Sequence, residues 1–476
     1  MRNAAELVLF VLLLVYLIWV PMPFGSASDA SQPPLIIPPL LICAAAALLC
    51  LMRKPSLAET RPARIWLAGG VLFLLIIAIQ LVPLPMPVLS ILSPRSAAIW
   101  GRAAGLAGLA GVKTPALHPI SIDPAQTALH LYRTLAYFAT FLSSMILVRD
   151  NVRRTVLAWV LAGMGVFEAL YAVHEANLGR YAVWGWKNTL IFGRATGTFV
   201  NPNHFAHYAA IVLPMALYLS AYAWHTAAPP GATFGRRVVK LVEKRFMLFA
   251  CGLLAALGCI TAVLVSESRG AMLAIIGGVS IVGAMASDKG HPLVRGLLIA
   301  LAVSAAIAAA IVVLGHTETV SRLEHSQASQ LNARRASAIG ALRIWEMFPL
   351  FGSGAGTYEN VVLMTRATSS EVMANHAHDD YAEILATTGA LGFIVSLVSL
   401  LGGFAALARN AFGQHGEPMS WRRRAFKMAA LTSMAIAMIH ALVDFNFFMP
   451  ANPITLAAII GAAVVAMPAR PASLAA

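Results

Sequence analysis

The sequence is short of charged residues. Only 11% of its 476 residues are charged, whereas 59% are hydrophobic and the mean hydropathy is +0.76. Soluble globular domains usually carry about 25% charged residues, so soluble enzymes and secreted disulfide-rich domains are excluded. Apolar runs long enough to cross a bilayer, about 20 residues each, indicate a membrane protein instead.

Cysteine is scarce as well. Cys43, Cys50, Cys251 and Cys259 all lie in apolar runs, with neither a C-x-x-C pair nor the Cys/His spacing of a metal site. This pattern predicts no zinc site and no disulfide framework. We interpret the four cysteines as small residues of the core.

Acidic residues are fewer than basic ones, 20 against 34, which gives a formal net charge of +14. In a soluble chain this excess would suggest a nucleic-acid partner. In a chain this apolar it indicates topology, because Lys and Arg concentrate in cytoplasmic loops. We therefore expect membrane lipids, and no nucleic acid, to neutralise the charge.

Twelve apolar runs predict an all-α, polytopic membrane protein with about 12 transmembrane helices. The runs are Ala4 to Val20, Leu35 to Met52, Ile65 to Val82, Ala128 to Val148, Val156 to Val173, His204 to Trp224, Phe246 to Val265, Ala271 to Ala286, Leu293 to Leu314, Ile384 to Leu407, Ala425 to Leu442 and Ile454 to Met467. Pro21 and Pro23 follow the first run and no cleavage site fits well, so we expect it to be retained as a helix.

The distribution of basic residues predicts the orientation of these spans. One set of alternate loops and termini holds 21 of the 34 Lys and Arg residues. Positive residues stay on the cytoplasmic side, so both termini are predicted to be cytoplasmic. The opposite, periplasmic side then carries the long segment Gly315 to Glu383.

The spans and loops divide the chain into four predicted parts. Residues 1–192 hold helices 1 to 5, residues 193–314 hold helices 6 to 9, residues 315–383 form a periplasmic catalytic loop, and residues 384–476 hold helices 10 to 12. The loop is too long for a passive connector. Within it, Ala333 to Phe348 has the spacing of an amphipathic helix at the membrane surface, which Pro349 ends. The glycines of Phe351 to Thr357 would let backbone amides approach an anion or a neighbouring helix.

The first of three polar motifs at the predicted outer face runs from Gly193 to His204. Ionisable groups at a membrane boundary are costly unless they are paired or used. Arg194, among small residues, is typical of a phosphate-binding fork. The same motif also fits an arginine that snorkels at a helix start, with Asn201 and Asn203 as helix caps.

The second motif is Ser266 to Gly270, a very short connection between two spans. It would hold Arg269 at headgroup level, where a guanidinium can meet the diphosphate of a lipid carrier. The alternative is an ion pair between Glu267 and Arg269 that satisfies the turn.

The third motif, Asn375 to Glu383, precedes the tenth span. A histidine beside carboxylates is suited to general-base catalysis near neutral pH. A metal site from His376 and His378 with Asp379, Asp380 or Glu383 lacks an obvious third ligand. A helix-capping role for the His and Asp residues also fits.

Taken in order, these motifs resemble the O-antigen ligase and O-antigen polymerase superfamily of bacterial inner-membrane glycosyltransferases. The resemblance covers roughly Gly193 to Met467. It includes Gly193-Arg194 with Asn201-Pro-Asn203, Ser266-Glu-Ser-Arg269-Gly270, Arg343 with Pro349-x-x-Gly352-x-Gly354-x-Gly356, His376-Ala-His378, Gly389 with Gly392, and His440-x-x-x-Asp444 with Pro450. Asp379 departs from the pattern, because the family usually has Asn there.

The resemblance implies a GT-C-like transferase that takes a glycan from undecaprenyl diphosphate on the periplasmic face of the inner membrane, without a metal or other cofactor. Arg194, Arg269 and Arg343 would bind the diphosphate. His378, with His376, would deprotonate the acceptor hydroxyl, and Asn201, Glu267 and Asp379 would support them. The same chemistry follows from the residues, since attack on an anomeric carbon needs a base on one side and cations on the leaving group. We also expect Asp379 and Asp380 to orient the His378 ring.

The acceptor separates the functions that remain open. A ligase transfers to a sugar of the lipid A core, whereas an O-antigen or exopolysaccharide polymerase transfers to another lipid-linked chain; ligation is the first choice. The rival from another class is a secondary transporter, because twelve spans is also a common transporter layout. For that function Glu168, His440 and Asp444 would be the polar residues nearest the membrane midplane.

The predicted topology can be tested with cysteine substitutions at Ser329 and Ser420. A membrane-impermeant thiol reagent should label the Ser329→Cys protein in intact cells with a permeabilised outer membrane, and should not label Ser420→Cys. The reverse labelling would overturn the orientation.

Overall fold

The structure is a computed structural model that describes residues 2–52, 61–187, 193–286, 296, 298–299, 301–304, 328–365, 375–413 and 419–465. Nearly all of this is α-helix. Four two-residue strands form two antiparallel pairs, β1 (Leu84–Pro85) with β2 (Leu117–His118) and β3 (Ala182–Val183) with β4 (Trp186–Lys187).

The described helices follow one another along the chain with short connections. They are α1 (Arg2–Trp19), α2 (Gln32–Leu51), α3 (Arg61–Gln80), α4 (Met86–Leu92), α5 (Pro94–Leu109), α6 (Pro124–Leu147), α7 (Asn151–Asn177), α8 (Pro202–Ala227), α9 (Phe234–Lys244), α10 (Phe246–Val265), α11 (Arg269–Met285), α12 (Ala328–Met347), α13 (Tyr358–Val362), α14 (Asp380–Phe412), α15 (Trp421–His440) and α16 (Ala451–Val464).

The structure confirms an all-α polytopic architecture. Among the described residues, six helical segments are long and apolar enough to cross a membrane, and three shorter helices are also apolar. Eleven of the twelve predicted spans fall on described helices. Most of the remaining one, Leu293 to Leu314, lies outside the described residues, so the number of spans stays a prediction.

Helix α8 lies at the centre of the bundle. It packs against α7, α10 and α15, and 83% of its most apolar 18-residue window is buried. Small residues allow these helices to approach closely, as is usual in membrane proteins. A Cβ at Gly252 of α10 would lie 2.8 Å from the backbone nitrogen of Ser220 in α8. The N-terminal end of this central helix carries the first of the three polar motifs.

The predicted helix Ala333 to Phe348 corresponds to α12, which ends two residues before Pro349. Its buried side chains Ala341 and Ile344, with Phe348 just beyond its end, pack against α13 and the first turns of α14. This second small core lies next to the histidine motif. The helix therefore packs on protein through the apolar face that the sequence would place on the membrane surface.

The glycine-rich segment after α12 contacts a neighbouring helix rather than leaving its amides free for an anion. It crosses α14 at Gly389, which has φ +67° and interrupts that helix. Gly352 and Gly389 are in mutual backbone contact, and the amide of Gly354 donates to the carbonyl oxygen of Thr387 at 3.0 Å. The buried Gln80 side chain donates to the carbonyl oxygens of Phe351 and Thr387. The crossing fixes where the first turns of α14 lie.

A side chain at this crossing should destabilise the protein. In Gly389→Ala the new Cβ would overlap the Leu350 carbonyl group in a backbone conformation that favours glycine. We expect a cost of roughly 2 kcal/mol, measured as a lower thermal unfolding temperature in detergent. Gly402→Ala in the same helix is the control, because its nearest contact would be an ordinary 3.7 Å. Equal stability of the two variants would contradict the proposed tight crossing.

Candidate active site

The candidate site is organised around Asp444, a buried carboxylate in the turn between α15 and α16. Its Oδ1 atom lies 3.2 Å from Nδ1 of His378, and its Oδ2 atom accepts a hydrogen bond of 2.8 Å from the Asn203 side chain. Nε2 of His204 lies 3.8 Å from Oδ1, and the guanidinium of Arg334 lies 3.6 Å from Oδ2. One carboxylate thus joins the start of α8, α12 and the histidine motif.

The surroundings of Asp444 keep it ionised. Burial by itself raises the pKa of this carboxyl. The hydrogen bond with His378, followed by interactions with His204 and Arg334, outweighs burial, so the pKa of Asp444 ends well below its usual range. A carboxylate therefore faces the His378 ring.

His378 is held in a strained backbone conformation. Its φ is +53°, a region that is uncommon for residues other than glycine and that often marks functional sites. Asp379, the next residue, caps α14 by accepting hydrogen bonds from the amides of Tyr381 and Ala382. Because of the sharp turn at His378, Asp379 can cap the helix while the His378 ring faces Asp444.

The expectation that Asp379 and Asp380 orient the His378 ring is wrong. Asp379 is occupied by the helix N-terminus, and Asp380 accepts a hydrogen bond from the amide of Phe447. The ring partner is Asp444, which lies 66 residues away in the sequence. The carboxylates of Asp379 and Asp380 accept hydrogen bonds from backbone amides. The more distant carboxylate of Asp444 pairs with the His378 imidazole.

His376 forms a second histidine–carboxylate pair. Its Nδ1 atom lies 2.7 Å from Oε1 of Glu383, whose other oxygen accepts from the amide of Ala377. The His376 ring stacks on Phe445, with ring centres 4.2 Å apart. The His378 ring meets the same phenyl ring at a steep angle, with ring centres 4.9 Å apart, so both imidazoles contact Phe445.

Arg194 is connected to this centre through one side chain. Its guanidinium donates to Oδ1 of Asn203 at 2.9 Å and to the carbonyl oxygen of Ser266 at 2.9 Å. Asn203 in turn donates to Asp444. Asn201 caps α8, as predicted, by accepting from the amide of Asn203. The first two polar motifs therefore meet at Arg194, and Asn203 connects them to the third.

Arg269, the first residue of α11, has an exposed side chain. Its side chain forms no hydrogen bond or ion pair with any described residue. The alternative ion pair between Glu267 and Arg269 is therefore absent from the described part of the chain. Its neighbour Gly270 packs against α15, where an added Cβ would lie 2.7 Å from Nε2 of His440. This contact places the second motif beside His440, four residues before Asp444 in the sequence. Glu267 has φ +54° at the connection between α10 and α11.

Arg343 is not among the residues that the structure brings together. Its side chain is exposed and donates to the carbonyl oxygen of Thr365 at 2.9 Å. The arginine of α12 that reaches the centre is Arg334, which also donates to the carbonyl oxygen of Val443. Nothing in the sequence distinguishes Arg334 from the adjacent Arg335.

The sequence did not assign Asp444, His204 or Arg334 to the site, although the structure brings these side chains together. The spacing His440-x-x-x-Asp444 was a usable signal, but the transporter interpretation placed both residues near the membrane midplane. Asp444 instead lies in a turn beyond the end of α15. Glu168 forms hydrogen bonds with the amide and hydroxyl of Thr198, in the loop that follows Arg194. No group of three His, Cys, Asp or Glu side chains among the described residues is arranged to hold a metal ion.

Comparison with known proteins gives a family match for the middle of the chain. Residues 254–397 match the family model described as O-antigen ligase. The matched part begins in α10 and ends in α14, so it includes Arg269, His376 and His378, whereas Arg194 and Asp444 lie outside it. A search of curated proteins finds no match. The match over this part of the chain supports the family that the motifs predict, the O-antigen ligase superfamily.

Proposed function

We propose that the protein transfers a glycan from undecaprenyl diphosphate to a hydroxyl group of a lipid A core sugar, on the periplasmic face of the inner membrane and without a metal. The observation that carries the proposal is the connected series His378, Asp444, Asn203 and Arg194, in which a buried carboxylate links an imidazole to a guanidinium. Glycosyl transfer from a diphosphate needs a base and a cation.

In this reaction His378 is the general base. With its Nδ1–H donated to Asp444, Nε2 keeps the lone pair that accepts the proton of the acceptor hydroxyl. The hydroxyl oxygen then bonds to the anomeric carbon, and the bond from that carbon to the diphosphate oxygen breaks. The electron pair leaves with the undecaprenyl diphosphate. The charge of Asp444 stabilises the imidazolium that forms, as in other His–carboxylate pairs.

Arg194 and Arg269 bind the departing diphosphate in this proposal. Arginine offers paired N–H donors that match phosphate oxygens. Arg194 is oriented by Asn203 and Ser266, whereas Arg269 is exposed at the start of α11, where the helix N-terminus also favours an anion. One arginine is therefore preorganised and the other is accessible to a ligand.

The ring contacts favour His378 over His376 as the base. Phe445 stacks on the face of His376, whereas it meets the His378 ring at a steep angle. His378 has the strained backbone, and its carboxylate is linked to Arg194. We assign His376 a supporting role.

The base assignment predicts a large loss of rate in His378→Ala. A general base contributes a factor of about 10² to 10⁴, so the purified variant should lose that factor in glycan transfer from the lipid-linked donor. His376→Ala should lose less. Donor binding by His378→Ala should stay close to the parental value. Parental turnover in this variant would leave only a structural role for the histidine.

The arginine assignment predicts that Lys is a poor substitute, because a point charge cannot form the paired bonds. Arg194→Lys and Arg269→Lys should each lose about 10² in rate. Arg335→Lys, at an exposed position of α12, is the control. Added chelator should leave the parental rate unchanged. Parental activity in Arg269→Lys, or strong inhibition by the chelator, would contradict the assignment.

The acceptor is tested in the same assay. Purified protein with lipid-linked donor and lipopolysaccharide that lacks O-antigen should produce a longer lipopolysaccharide. Lengthened lipid-linked chains with unmodified lipopolysaccharide would identify a polymerase.

A further inference from the structure

Glu168 of α7 is a fully buried carboxyl group that the proposed reaction does not use. Among the described residues its hydrogen-bond partners are the amide and the hydroxyl of Thr198, and it forms no ion pair with Lys, Arg or His. Asp444, by contrast, lies beside Arg334 and His378. A buried carboxylate without a cation is costly, so the two acidic side chains have different electrostatic surroundings.

The hydroxyl of Thr198 indicates how Glu168 avoids this cost. Its oxygen lies 2.6 Å from Oε1 of Glu168 and 2.8 Å from the carbonyl oxygen of Pro21. A hydroxyl has one hydrogen, and a backbone carbonyl oxygen can only accept. When the hydroxyl donates to Pro21, the short contact with Glu168 needs a hydrogen on Oε1. Oε2 then accepts from the amide of Thr198 at 2.9 Å, so a neutral carboxylic acid satisfies all three contacts.

This carboxyl group anchors the loop that carries Arg194. The loop ends at Asn201, which caps α8. Between these two residues, Gly197 has φ +55° and lies so close to Glu168 that an added Cβ would be 2.4 Å from Oε2. The backbone therefore turns directly over the carboxyl group, and the next residue, Thr198, forms both hydrogen bonds with it.

We infer that Glu168 is a neutral carboxylic acid that positions Arg194 for the donor diphosphate. The inference rests on the proposed function. Paired bonds from a guanidinium to phosphate oxygens need a fixed direction, and the loop sets where the Arg194 side chain begins. Glu168 itself contacts no substrate in this arrangement, so it is a positioning residue. Through Pro21 and Glu168, the N-terminal helices contribute to the site.

Infrared difference spectroscopy tests the protonation state without any substrate. At neutral pH, the spectrum of the parental protein minus that of Glu168→Gln should contain the carbonyl stretching band of a protonated carboxylic acid. Glu175→Gln is the matched control on the same helix, because the Glu175 carboxylate pairs with Arg180 at 2.9 Å. This control should remove no such band. A Glu168→Gln difference without the band would show an ionised carboxylate and overturn the inference.

Binding of a polyprenyl diphosphate that carries no glycan tests the positioning role. Glu168→Ala should weaken binding about tenfold, the order expected when a hydrogen bond to a charged group is lost. Glu168→Gln should bind close to the parental affinity, because its side-chain amide donates and accepts as the neutral acid does. This variant also keeps the buried contacts, so it does not depend on how well Glu168→Ala folds. Equal losses in the two variants would contradict a neutral acid.

A double-mutant cycle distinguishes positioning of Arg194 from a general structural role. In an Arg194→Ala background, Glu168→Ala should weaken binding no further, since the group that it positions is already absent. Additive losses would show that Glu168 acts independently of Arg194. Parental binding by Glu168→Ala in the unmodified background would show that it has no role in positioning. Either result overturns the inference.

The same measurements separate this inference from the proposed function. If the infrared band and the coupling to Arg194 are found but no glycan is transferred, the proposed function fails and the assignment of Glu168 stands. If glycan is transferred but the binding losses are additive, the proposed function stands and this inference fails. A parental protein that does not bind the diphosphate would overturn both.

Discussion

The burial of the Asp444 carboxylate is the constraint on which the candidate site depends. A buried charge is tolerated only when it is paired and hydrogen-bonded, and no single segment of this chain supplies enough partners. Asp444 obtains them from Asn203 at the start of α8, His378 before α14 and Arg334 on α12. Satisfying one carboxylate therefore brings three separate parts of the chain together.

The backbone crossing at Gly352 and Gly389 supports that arrangement from the opposite side. It anchors the glycine-rich segment to α14, and Gln80 closes the junction with hydrogen bonds from α3. Because these contacts fix the first turns of α14, His376 and His378 are presented at a defined place. Each imidazole then pairs with its own carboxylate, His376 with Glu383 and His378 with Asp444.

The candidate site adjoins an apolar surface. Phe445 and Phe448 contact His376, and Phe448, with Trp66 and Phe138, also lines a groove between the helices. The short 3-10 turn Asn446–Phe448 therefore lies where polar and apolar surroundings meet.

Composition and periodicity alone determine the membrane class and the approximate position of most spans, because an apolar run long enough to cross a bilayer has few alternatives to a helix. Local polar patterns also identify Arg194, Arg269 and the histidine pair as candidates, since capping and short turns are encoded by neighbouring residues. The partner of His378 was predicted wrongly for the same reason. Local reasoning offered Asp379 and Asp380, and both are bonded to nearby backbone amides. Only the tertiary structure brings in Asp444 and selects Arg334 over Arg335, because pairing across 66 and 110 positions of sequence depends on how the helices pack and not on any periodicity within them.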